Sequence, residues 1–455
     1  MNIEPSLIKK YNVPVPRYTS YPTVPFWDTN KPSPKQWFDI VKHTFDQTNE
    51  EQGISVYIHL PFCESLCTYC GCNTRITKNH KVEGEYIVSL LTEWKQYLSV
   101  FDTKPIIREL HLGGGTPTFF SPENLKSLIV QLLEGCEIHP DHEFGFEGHP
   151  NNTTKAHLQV LHDVGFRRVS YGIQDLDLKV QETINRIQPY ENVERATLDA
   201  REVGYESVNF DLIYGLPHQT TTTVADTIQQ ITKLSPDRIA YYSYAHVPWV
   251  KPGQRSYSTS DLPANGEKQQ LYELGKSLLT NLGYVDVGMD HFALKTDELY
   301  KAMRQGTLHR NFMGYTVSNT SLLIGLGTSA ISDAKYAYLQ NKKKVEEYKS
   351  DIAEGQLSIL KGHILTKEDV MIREVIKELT CKGVADLFDV NQHRDWSLIE
   401  DRLQRMEADG LLTMSRTQAR VSAIGKVLIR NVANAFDLKY HKHSIDKENT
   451  FSQAI

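Results

Sequence analysis

Between residues 54 and 245, short runs of apolar residues alternate with longer segments in which apolar residues recur every three or four positions. The short runs predict buried β-strands, and the longer segments predict amphipathic helices. The predicted strands are 54–60, 107–112, 143–147, 168–172, 207–213 and 238–243. The predicted helices are 82–97, 122–133, 153–164, 178–184 together with 192–203, and 221–233. Six β-then-α steps with short turns predict an α/β fold with a parallel sheet and crossover helices, either a barrel or an open sheet.

The pattern changes after residue 245. Residues 246–335 are richer in loops, with one predicted helix near 267–279 and a glycine-rich piece at 325–332. From about residue 360 the pattern predicts a small, mainly helical domain ending in a helix, a turn and a short hairpin, as in a winged helix. Winged helices often bind DNA, but residues 361–440 carry 13 Lys and Arg against 12 Asp and Glu. This near-neutral balance provides no positively charged surface to bind DNA phosphates, so it argues against DNA binding.

These changes of pattern divide the chain into five predicted regions. They are an N-terminal segment (1–50) that closes over the sheet, a β/α core (51–245), an extension with substrate-site elements (246–358), a C-terminal helical domain (359–440) and a loosely ordered tail (441–455). The proline-punctuated stretch around Tyr18 and Tyr21 is predicted to lie outside the core.

Composition narrows the class of protein. At 455 residues the chain exceeds the ~250–300 residues at which a single core stops growing. A formal net charge of -6 argues against a partner that is nucleic acid or anionic lipid. The first residues lack the basic and apolar regions of a signal peptide, and no run approaches the ~18 apolar residues of a membrane span. We therefore expect a cytoplasmic protein with no membrane span, and a monomer, since the sequence shows no heptad pattern and no long apolar edge.

Four cysteines lie within ten residues, at Cys63, Cys67, Cys70 and Cys72, and the rest of the chain holds two more. Such a cluster indicates a soft metal rather than a disulfide framework. The first three have C-x3-C-x2-C spacing, which can hold three irons of a four-iron cluster and leave the fourth open. A structural zinc site is the alternative, although it usually uses two separated C-x2-C pairs, and two disulfides are a further one.

A glycine-rich turn, Gly113-Gly-Gly-Thr-Pro-Thr118, follows the second predicted strand. By itself it is no more than a tight turn that glycine permits. The cysteine loop follows the first strand, and the carboxyl ends of parallel strands gather ligands in both barrels and open sheets. The turn and the loop are therefore expected to meet at one ligand site.

These motifs resemble the radical S-adenosylmethionine superfamily, through the cysteine spacing, Tyr69 and the Gly-Gly-Gly-Thr-Pro turn. More narrowly, the chain is similar to the oxygen-independent coproporphyrinogen III oxidases (coproporphyrinogen dehydrogenases) over almost its whole length. The segments that carry this resemblance are Lys10-Tyr-Asn, Pro16-Arg-Tyr-Thr-Ser-Tyr-Pro-Thr23, Tyr57-Ile-His-Leu-Pro-Phe-Cys63, Asp211-Leu-Ile-Tyr-Gly-Leu-Pro217, Tyr244-Ala-His-Val-Pro248, Gly288-Met-Asp-His-Phe292 and His309-Arg-Asn-Phe-Met-Gly-Tyr-Thr316.

The resemblance implies a (β/α)6 partial barrel of the radical S-adenosylmethionine type, formed by residues 51–245, with an N-terminal extension and a winged-helix-like C-terminal domain. It implies a 4Fe-4S cluster held by Cys63, Cys67 and Cys70, with Cys72 beside it, and two molecules of S-adenosylmethionine. Positions matching the first molecule's site are Tyr57, Gly114, Glu147 and Arg186. Positions matching the second molecule's site or its close neighbours are Tyr69, Gly115, Thr116, Gln174, Asp211, Ala245 and Ile331. The implied catalytic residues are Tyr57, Cys72 and Glu147.

The implied activity is that of an oxidoreductase of haem and porphyrin biosynthesis. It converts two propionate side chains of coproporphyrinogen III to vinyl groups without oxygen, giving protoporphyrinogen IX through a 5′-deoxyadenosyl radical. An electron donor such as a flavodoxin or ferredoxin system is the implied protein partner. The four carboxylates of the substrate favour arginine clamps, for which Arg17, Arg255 and Arg310 are candidates beside a plain surface role.

The residues themselves support several of these positions, each with an alternative. Glu147 ends the third strand and can accept a hydrogen bond from an ammonium or hydroxyl group, or it belongs to a helix N-cap region. Asp211 lies near the end of the fifth strand, where a buried acid needs a donor. Arg186 can pair with a carboxylate or lie on a helix surface, and Gln174 at a strand end favours ligand contact.

One segment departs from the family pattern. Family members often carry Glu-x-Asp-Pro after the third strand, whereas this chain has Glu147-Gly-His-Pro150, which puts the contact made by His149 in doubt. Two other functions stay open on sequence grounds. They are a haem-trafficking chaperone that keeps the cluster without the decarboxylation, and a radical enzyme that opens the haem ring.

Overall fold

The computed structural model describes residues 4–27, 31–442 and 446–454. Two helices precede the first strand, α1 (Pro5–Tyr11) and α2 (Pro34–Gln52). The sequence pattern had not predicted α2. Its start is stabilised by a capping box between Ser33 and Gln36, and it buries Trp37 and Phe45 against the sheet.

Each predicted strand and helix of the β/α core has a counterpart in the structure, and two short strands at residues 62–63 and 75–76 were not predicted. Its strands are β1 (Ile54–Leu60), β2 (Phe62–Cys63), β3 (Arg75–Ile76), β4 (Ile106–Gly114), β5 (Glu137–Gly148), β6 (Arg168–Gln174), β7 (Ser207–Tyr214) and β8 (Arg238–Ser243). Its helices are α3 (Val82–Leu98), α4 (Pro122–Leu133), α5 (Lys155–Asp163), α6 (Leu178–Thr183), α7 (Tyr190–Val203) and α8 (Thr221–Thr232).

The extension holds more regular structure than the loop-rich prediction for residues 246–335. Its elements are α9 (Asn265–Asn281), β9 (Val285–Gly288), β10 (His291–Ala293), α10 (Glu298–Gln305), β11 (His309–Asn311), β12 (Gly314–Thr316), β13 (Leu323–Leu326), β14 (Ile331–Asp333), β15 (Ala337–Asn341), α11 (Val345–Ala353) and β16 (Ile359–Ile364). Most of these strands have three to five residues, too few for an alternating pattern to stand out.

One large sheet runs through both parts, in the order β16-β15-β14-β13-β1-β4-β5-β6-β7-β8-β10-β9. The six strands from β1 to β8 in this order pair in parallel, so their carboxyl ends lie along one edge. The end strands β16 and β9 do not pair with each other among the described strands, so the sheet stays open as a partial barrel.

The C-terminal region is mainly helical, with α12 (Lys367–Lys382), β17 (Val384–Asp386), α13 (Trp396–Ala408), β18 (Leu412–Met414), β19 (Gln418–Val421), α14 (Ala423–Val427), α15 (Ile429–Asn434), α16 (Leu438–Lys442) and α17 (Lys447–Thr450). Its three strands form a separate antiparallel sheet in the order β17-β19-β18. The likeness to a winged helix stays a prediction. No helix within the described ranges has the length and apolarity that crossing a membrane would require.

The N-terminal stretch is part of a core, contrary to the expectation from its prolines. Tyr18 and Tyr21 are 5% and 1% exposed and belong to the hydrophobic core of the C-terminal region. The hydroxyl of Tyr18 donates to Asp437, a partner that sequence proximity could not suggest. Arg17, from the same N-terminal stretch, forms an ion pair of 2.6 Å with Asp290 of the extension.

The tail also makes specific contacts where it is described. The Arg430 guanidinium donates to the carbonyls of Val15 and Pro16 from the N-terminal stretch and of Ser452 and Gln453 from the tail. Residues 443–445 and 455 of the predicted loose tail lie outside the described residues. The buried Arg430 thus connects the described part of the tail to the N-terminal stretch.

Candidate functional site

A cleft of about 590 Å³ opens at the carboxyl ends of the parallel strands, where the sequence predicts a ligand site. Twelve of the predicted site residues line it, namely Cys63, Cys67, Tyr69, Cys70, Cys72, Gly114, Gly115, Thr116, Glu147, Gln174, Arg186 and Asp211. Three others, Tyr57, Ala245 and Ile331, do not reach its wall and are described below.

The cysteine loop is held at both ends by main-chain bonds. At its start Cys63 lies on β2, which pairs in parallel with β3, and its carbonyl accepts from the Thr77 amide at 2.9 Å. Within the loop, the Cys70 amide donates to the Cys67 carbonyl at 3.1 Å. All the cysteines are free thiols, so the disulfide alternative is wrong for this structure.

The spacing of the thiols tests the zinc alternative. A tetrahedral zinc ion with bonds of ~2.3 Å would hold its sulfur ligands about 3.8 Å apart. No three cysteine sulfurs in the described part of the chain lie within 4.8 Å of one another. The thiols as placed are therefore too far apart to ligate a single zinc ion.

The buried Cys63 thiol requires a nearby cation to ionise. Burial raises the pKa of the Cys63 thiol to about 11, although the Thr116 hydroxyl, 3.3 Å from the sulfur, opposes the shift. The hydrogen bond between Cys70 and Cys72 lowers the pKa of Cys70 to about 6 and raises that of Cys72. A metal cluster would supply the positive charge that a buried thiolate such as Cys63 lacks here.

The glycine turn lies directly against the start of the cysteine loop. The Gly115 amide donates to the Leu60 carbonyl at 2.8 Å, and the Thr116 amide donates to the Phe62 carbonyl at 3.0 Å. A Cβ at Gly115 would lie 2.6 Å from the carbonyl carbon and oxygen of Pro61, and Gly114 has a φ of +112°. The turn can take this position only with glycine at these two residues.

Glu147 ends β5 as an ionised acceptor on the cleft wall. The Gly114 amide donates to its carboxylate at 3.2 Å, and His111 Nε2 lies 3.6 Å away. Burial raises the pKa of Glu147, but the His111 contact and the Gly114 amide outweigh burial and hold it below the ordinary value. The N-cap alternative is wrong, because Thr154 caps the following helix α5.

Asp211 on β7 has the opposite electrostatic character. Burial, then the charge of Glu147, raises the pKa of Asp211 to about 7, and among the described residues only the Ser170 hydroxyl donates to it, at 3.3 Å. The cleft thus holds one carboxylate that stays charged and one carboxyl group that exchanges its proton near neutral pH.

Arg186 lies in the cleft and not on a helix surface. Its Nη2 donates to the Gly172 carbonyl at 2.6 Å, and its Nη1 points at the Cys67 sulfur at 3.6 Å. Gly172 leaves room for it, since a Cβ there would lie 3.1 Å from Arg186 Nη2 and 2.6 Å from Gln174 Nε2. Gln174 itself adopts a left-handed φ of +67° at a register shift of β6, which turns its side chain into the cleft.

His149, the departure from the family pattern, faces the same arginine. Burial, then the charge of Arg186, lowers the pKa of His149 to about 2, so the ring is neutral. Its Nδ1 accepts from the Asn151 amide at 3.2 Å. The position therefore carries no charge in this chain.

Three predicted site residues do not line the cleft. Tyr57 stacks on His111 and places its hydroxyl 3.2 Å from His59 Nδ1. The Ala245 carbonyl accepts from Gln254 at 3.2 Å. Ile331 lies on β14, beside Gly325, and Gly325 pairs with Tyr57 on the neighbouring strand.

Sequence reasoning missed several polar residues of the site. His111 stands between Leu110 and Leu112 on a buried strand, and a polar residue inside an apolar run was the available signal. Ser170 offered the same signal on β6. Asn185 and Gln254, which contact the cysteine loop, gave no signal because they lie in irregular segments.

Comparison with known proteins agrees with the predicted family. The model of the Radical SAM superfamily matches residues 57–231. The oxygen-independent coproporphyrinogen III oxidase of Pseudomonas aeruginosa is 36% identical over 440 residues, 95% of each chain. That of Helicobacter pylori (strain J99) is 38% identical over 437 residues, 94% of this chain and 95% of the relative. The solved structure of Escherichia coli coproporphyrinogen III oxidase, described as a radical SAM enzyme, superimposes with a TM-score of 0.88 at 34% identity, over 96% of this chain and 99% of the other. This chain belongs to the oxygen-independent coproporphyrinogen III oxidase family, within the radical SAM superfamily.

Proposed function

We propose that this protein decarboxylates two propionate side chains of coproporphyrinogen III to vinyl groups without oxygen, giving protoporphyrinogen IX. The observation that carries the proposal is the cleft itself. Three free cysteines with C-x3-C-x2-C spacing meet a glycine turn at the carboxyl ends of the strands, in a chain whose relatives over 95% of its length bear this activity as their name.

Cys63, Cys67 and Cys70 hold one 4Fe-4S cluster in this proposal. When bound, the cluster supplies one electron that splits S-adenosylmethionine, and the resulting 5′-deoxyadenosyl radical takes a hydrogen atom from a propionate β-carbon. Each propionate radical would then release carbon dioxide and pass one electron to an external one-electron acceptor, so two propionates would consume two molecules of S-adenosylmethionine. The three thiols are the donor set that such a cluster requires, and they leave its fourth iron for a ligand.

The first S-adenosylmethionine is bound by residues around Glu147. This carboxylate is kept ionised by His111 and accepts hydrogen bonds from an ammonium or ribose hydroxyl group. Gly114 offers main chain at close approach, and Arg186 pairs with a carboxylate. Tyr57 acts through its stacking on His111.

The second S-adenosylmethionine is bound by residues around Asp211. With a pKa of about 7, Asp211 can either accept or donate a hydrogen bond near neutral pH. The remaining residues of this group are Tyr69, Gly115, Thr116, Gln174, Ala245 and Ile331. Cys72, exposed beside Cys70, acts in catalysis and not as a cluster ligand.

Arg310 is the best suited of the three arginines to hold a substrate carboxylate. Arg17 is engaged by Asp290, and Arg255 Nε donates to the Pro248 carbonyl. The Nε and Nη1 groups of Arg310 are buried and lack a hydrogen-bond partner among the described residues. Unpaired buried donors of this kind call for a ligand.

Aromatic contacts connect this arginine to the cleft. The guanidinium lies 4.7 Å from the ring centre of Tyr315, which contacts His291, and His291 in turn contacts Tyr242 on the cleft wall. A propionate that reaches past Tyr242 would approach Arg310.

The protein works as a cytoplasmic monomer and receives its electrons from a flavodoxin or ferredoxin system in this proposal. The absence of a membrane-spanning helix among the described helices is compatible with this location. The donor is required because the cluster must be reduced before each cleavage.

Anaerobic turnover tests the function directly. Reconstituted protein is incubated with S-adenosylmethionine, a reductant and coproporphyrinogen III, and the products are identified by mass spectrometry. We expect loss of two carbon dioxides per tetrapyrrole and two 5′-deoxyadenosines. Formation of 5′-deoxyadenosine with an unchanged tetrapyrrole would refute the substrate. An intact cluster with neither product, together with tight haem binding, would support the haem-chaperone alternative instead.

A further inference from the structure

Side chains from outside the cysteine loop hold three of its main-chain carbonyl groups. Asn185 Nδ2 donates to the Leu66 carbonyl at 2.7 Å, and Gln254 Nε2 donates to the Tyr69 carbonyl at 3.3 Å. Lys251 Nζ donates to the Cys72 carbonyl at 3.0 Å. Leu66 and Tyr69 are the residues immediately before Cys67 and Cys70. Two of the three bonds therefore act on the peptide group that leads into a cysteine.

Gln254 is fixed in the orientation that this contact needs. It lies in the 3₁₀ helix Pro252–Ser256 and is 1% exposed. Its Oε1 accepts from the Val247 amide at 2.6 Å, and its Nε2 also donates to the Ala245 carbonyl at 3.2 Å. Because both ends of the amide are engaged with main chain, the group cannot rotate away from Tyr69 without losing buried hydrogen bonds.

Asn185 is fixed by its backbone. It follows α6 with a left-handed φ of +53°, a conformation that asparagine tolerates better than most residues other than glycine. The same turn connects the loop to α6 at a second point, since the Thr68 amide donates to the Ile184 carbonyl at 2.9 Å. The next residue is Arg186, which points at the Cys67 sulfur. One strained residue thus sets the direction of two side chains that reach the loop.

We propose that Asn185 and Gln254 are positioning residues that orient Cys67 and Cys70 before the cluster binds. A peptide group is planar, so fixing a carbonyl also fixes the amide and the Cα of the residue that follows. The two bonds place those Cα atoms without engaging the thiols themselves. This inference rests on the proposed role of the two cysteines as cluster ligands.

Isosteric acids test the proposal. Asn185→Asp and Gln254→Glu keep the size of each side chain and replace the donating NH2 by an oxygen that repels the carbonyl. The exposed Asn281→Asp and Gln356→Glu are matched controls with the same change of charge. Gln254→Met, which removes the amide without adding charge, separates the lost hydrogen bond from the new charge.

Each full-length protein is measured in two states, metal-free and reconstituted. In the metal-free state, amide hydrogen exchange is followed in residues 66–72. After reconstitution, iron and sulfide content, the electron paramagnetic resonance spectrum of the reduced cluster and the rate of iron loss to a chelator are determined. We expect faster exchange confined to the loop, an altered spectrum and about 10-fold or greater loss of iron affinity, as for other groups that orient metal ligands. The two control variants should match wild type.

The outcomes distinguish this inference from the function on which it rests. If wild type binds a cluster and all three loop variants match it in exchange, spectrum and iron loss, the positioning role is refuted. If wild type binds no iron, the proposed cluster is refuted, while exchange in the metal-free protein still decides whether the two amides order the loop. Faster exchange spread over the whole chain would show a general folding defect and would also refute a local positioning role.

Discussion

Replacing Asp211 by asparagine should stabilise the metal-free protein, and by more as the pH rises. Burial, and after it the charge of Glu147, raises the pKa of Asp211 from 3.8 to about 7. The folded state therefore binds this proton more tightly than the unfolded chain does. Between about pH 4 and pH 7 the wild-type protein loses stability as the pH rises, and asparagine at 211 removes that loss.

The size of the effect follows from the shift. About three pKa units at ~1.36 kcal/mol each give an upper value of about 4 kcal/mol in the free energy of unfolding above pH 7. The difference between Asp211→Asn and wild type should be about 0.6 kcal/mol at pH 4 and about 1.7 kcal/mol at pH 5. Asparagine can still accept the hydrogen bond from Ser170. Any weakening of that bond is therefore small and lowers the difference in stability by the same amount at every pH.

Urea unfolding of the metal-free protein at pH 5, 6, 7 and 8 under reducing conditions measures this difference. Asp226→Asn, at an exposed position of α8, reports the effect of removing one surface charge and is subtracted. A difference that stays constant from pH 5 to pH 8 would refute the reasoning.

Glu147→Gln tests the cause of the shift. Glu147 contributes the second largest effect on Asp211, after burial. In its absence the pKa of Asp211 should be lower, so Asp211→Asn should stabilise the Glu147→Gln background by less than it stabilises wild type. The coupling free energy of this double-mutant cycle should vanish toward pH 4, where Asp211 of the folded protein is protonated with or without Glu147.

Three further changes have expected outcomes. Cys70→Ala should abolish cluster binding while Cys72→Ala keeps it, judged by iron and sulfide content, and equal loss in both would contradict the assignment of three ligands. Gly115→Ala should cost about 1–3 kcal/mol of stability and weaken S-adenosylmethionine binding, because its Cβ would lie 2.6 Å from main-chain atoms of Pro61. Calorimetry measures both the stability and the binding. Wild-type values for both would show that the turn can shift to accommodate the methyl group. Arg17→Ala should cost about 1 kcal/mol by unpairing the half-buried Asp290 and should speed amide exchange in residues 11–21, whereas unchanged exchange would show that the stretch is held by the C-terminal core alone.

The strands of the core could be predicted from the sequence because both of their faces are buried, which gives each strand a continuous run of apolar residues. The prediction for residues 54–60 coincides with β1, which is buried along almost its whole length. The prediction for β5 began at residue 143, while the strand begins at Glu137. Its first half is polar and partly exposed, so it offered no apolar run, and only pairing with β4 makes it a strand.

The cysteines and the glycine turn could be found in the sequence because their chemistry is compressed into short segments. The residues that orient them could not. Asn185 lies 119 positions from Leu66, and Gln254 lies 185 positions from Tyr69, so only the folded sheet brings them together. The same holds for Tyr18, whose proline-rich surroundings suggested a surface stretch but whose ring fills the C-terminal core.

The protonation states of the two acids of the cleft also could not be predicted from the sequence. Sequence could nominate Glu147 and Asp211 from their positions at strand ends, but not their charge. Glu147 is ionised because β4 brings His111 beside it and the turn presents the Gly114 amide. Among the residues that the structure describes, Asp211 accepts a hydrogen bond only from the Ser170 hydroxyl on β6, and burial and the charge of Glu147 raise its pKa to about 7. Two carboxyl groups of nearly equal intrinsic acidity thus acquire different protonation states from their neighbours, which suits the cleft to hold two cationic cosubstrates in two unlike sites.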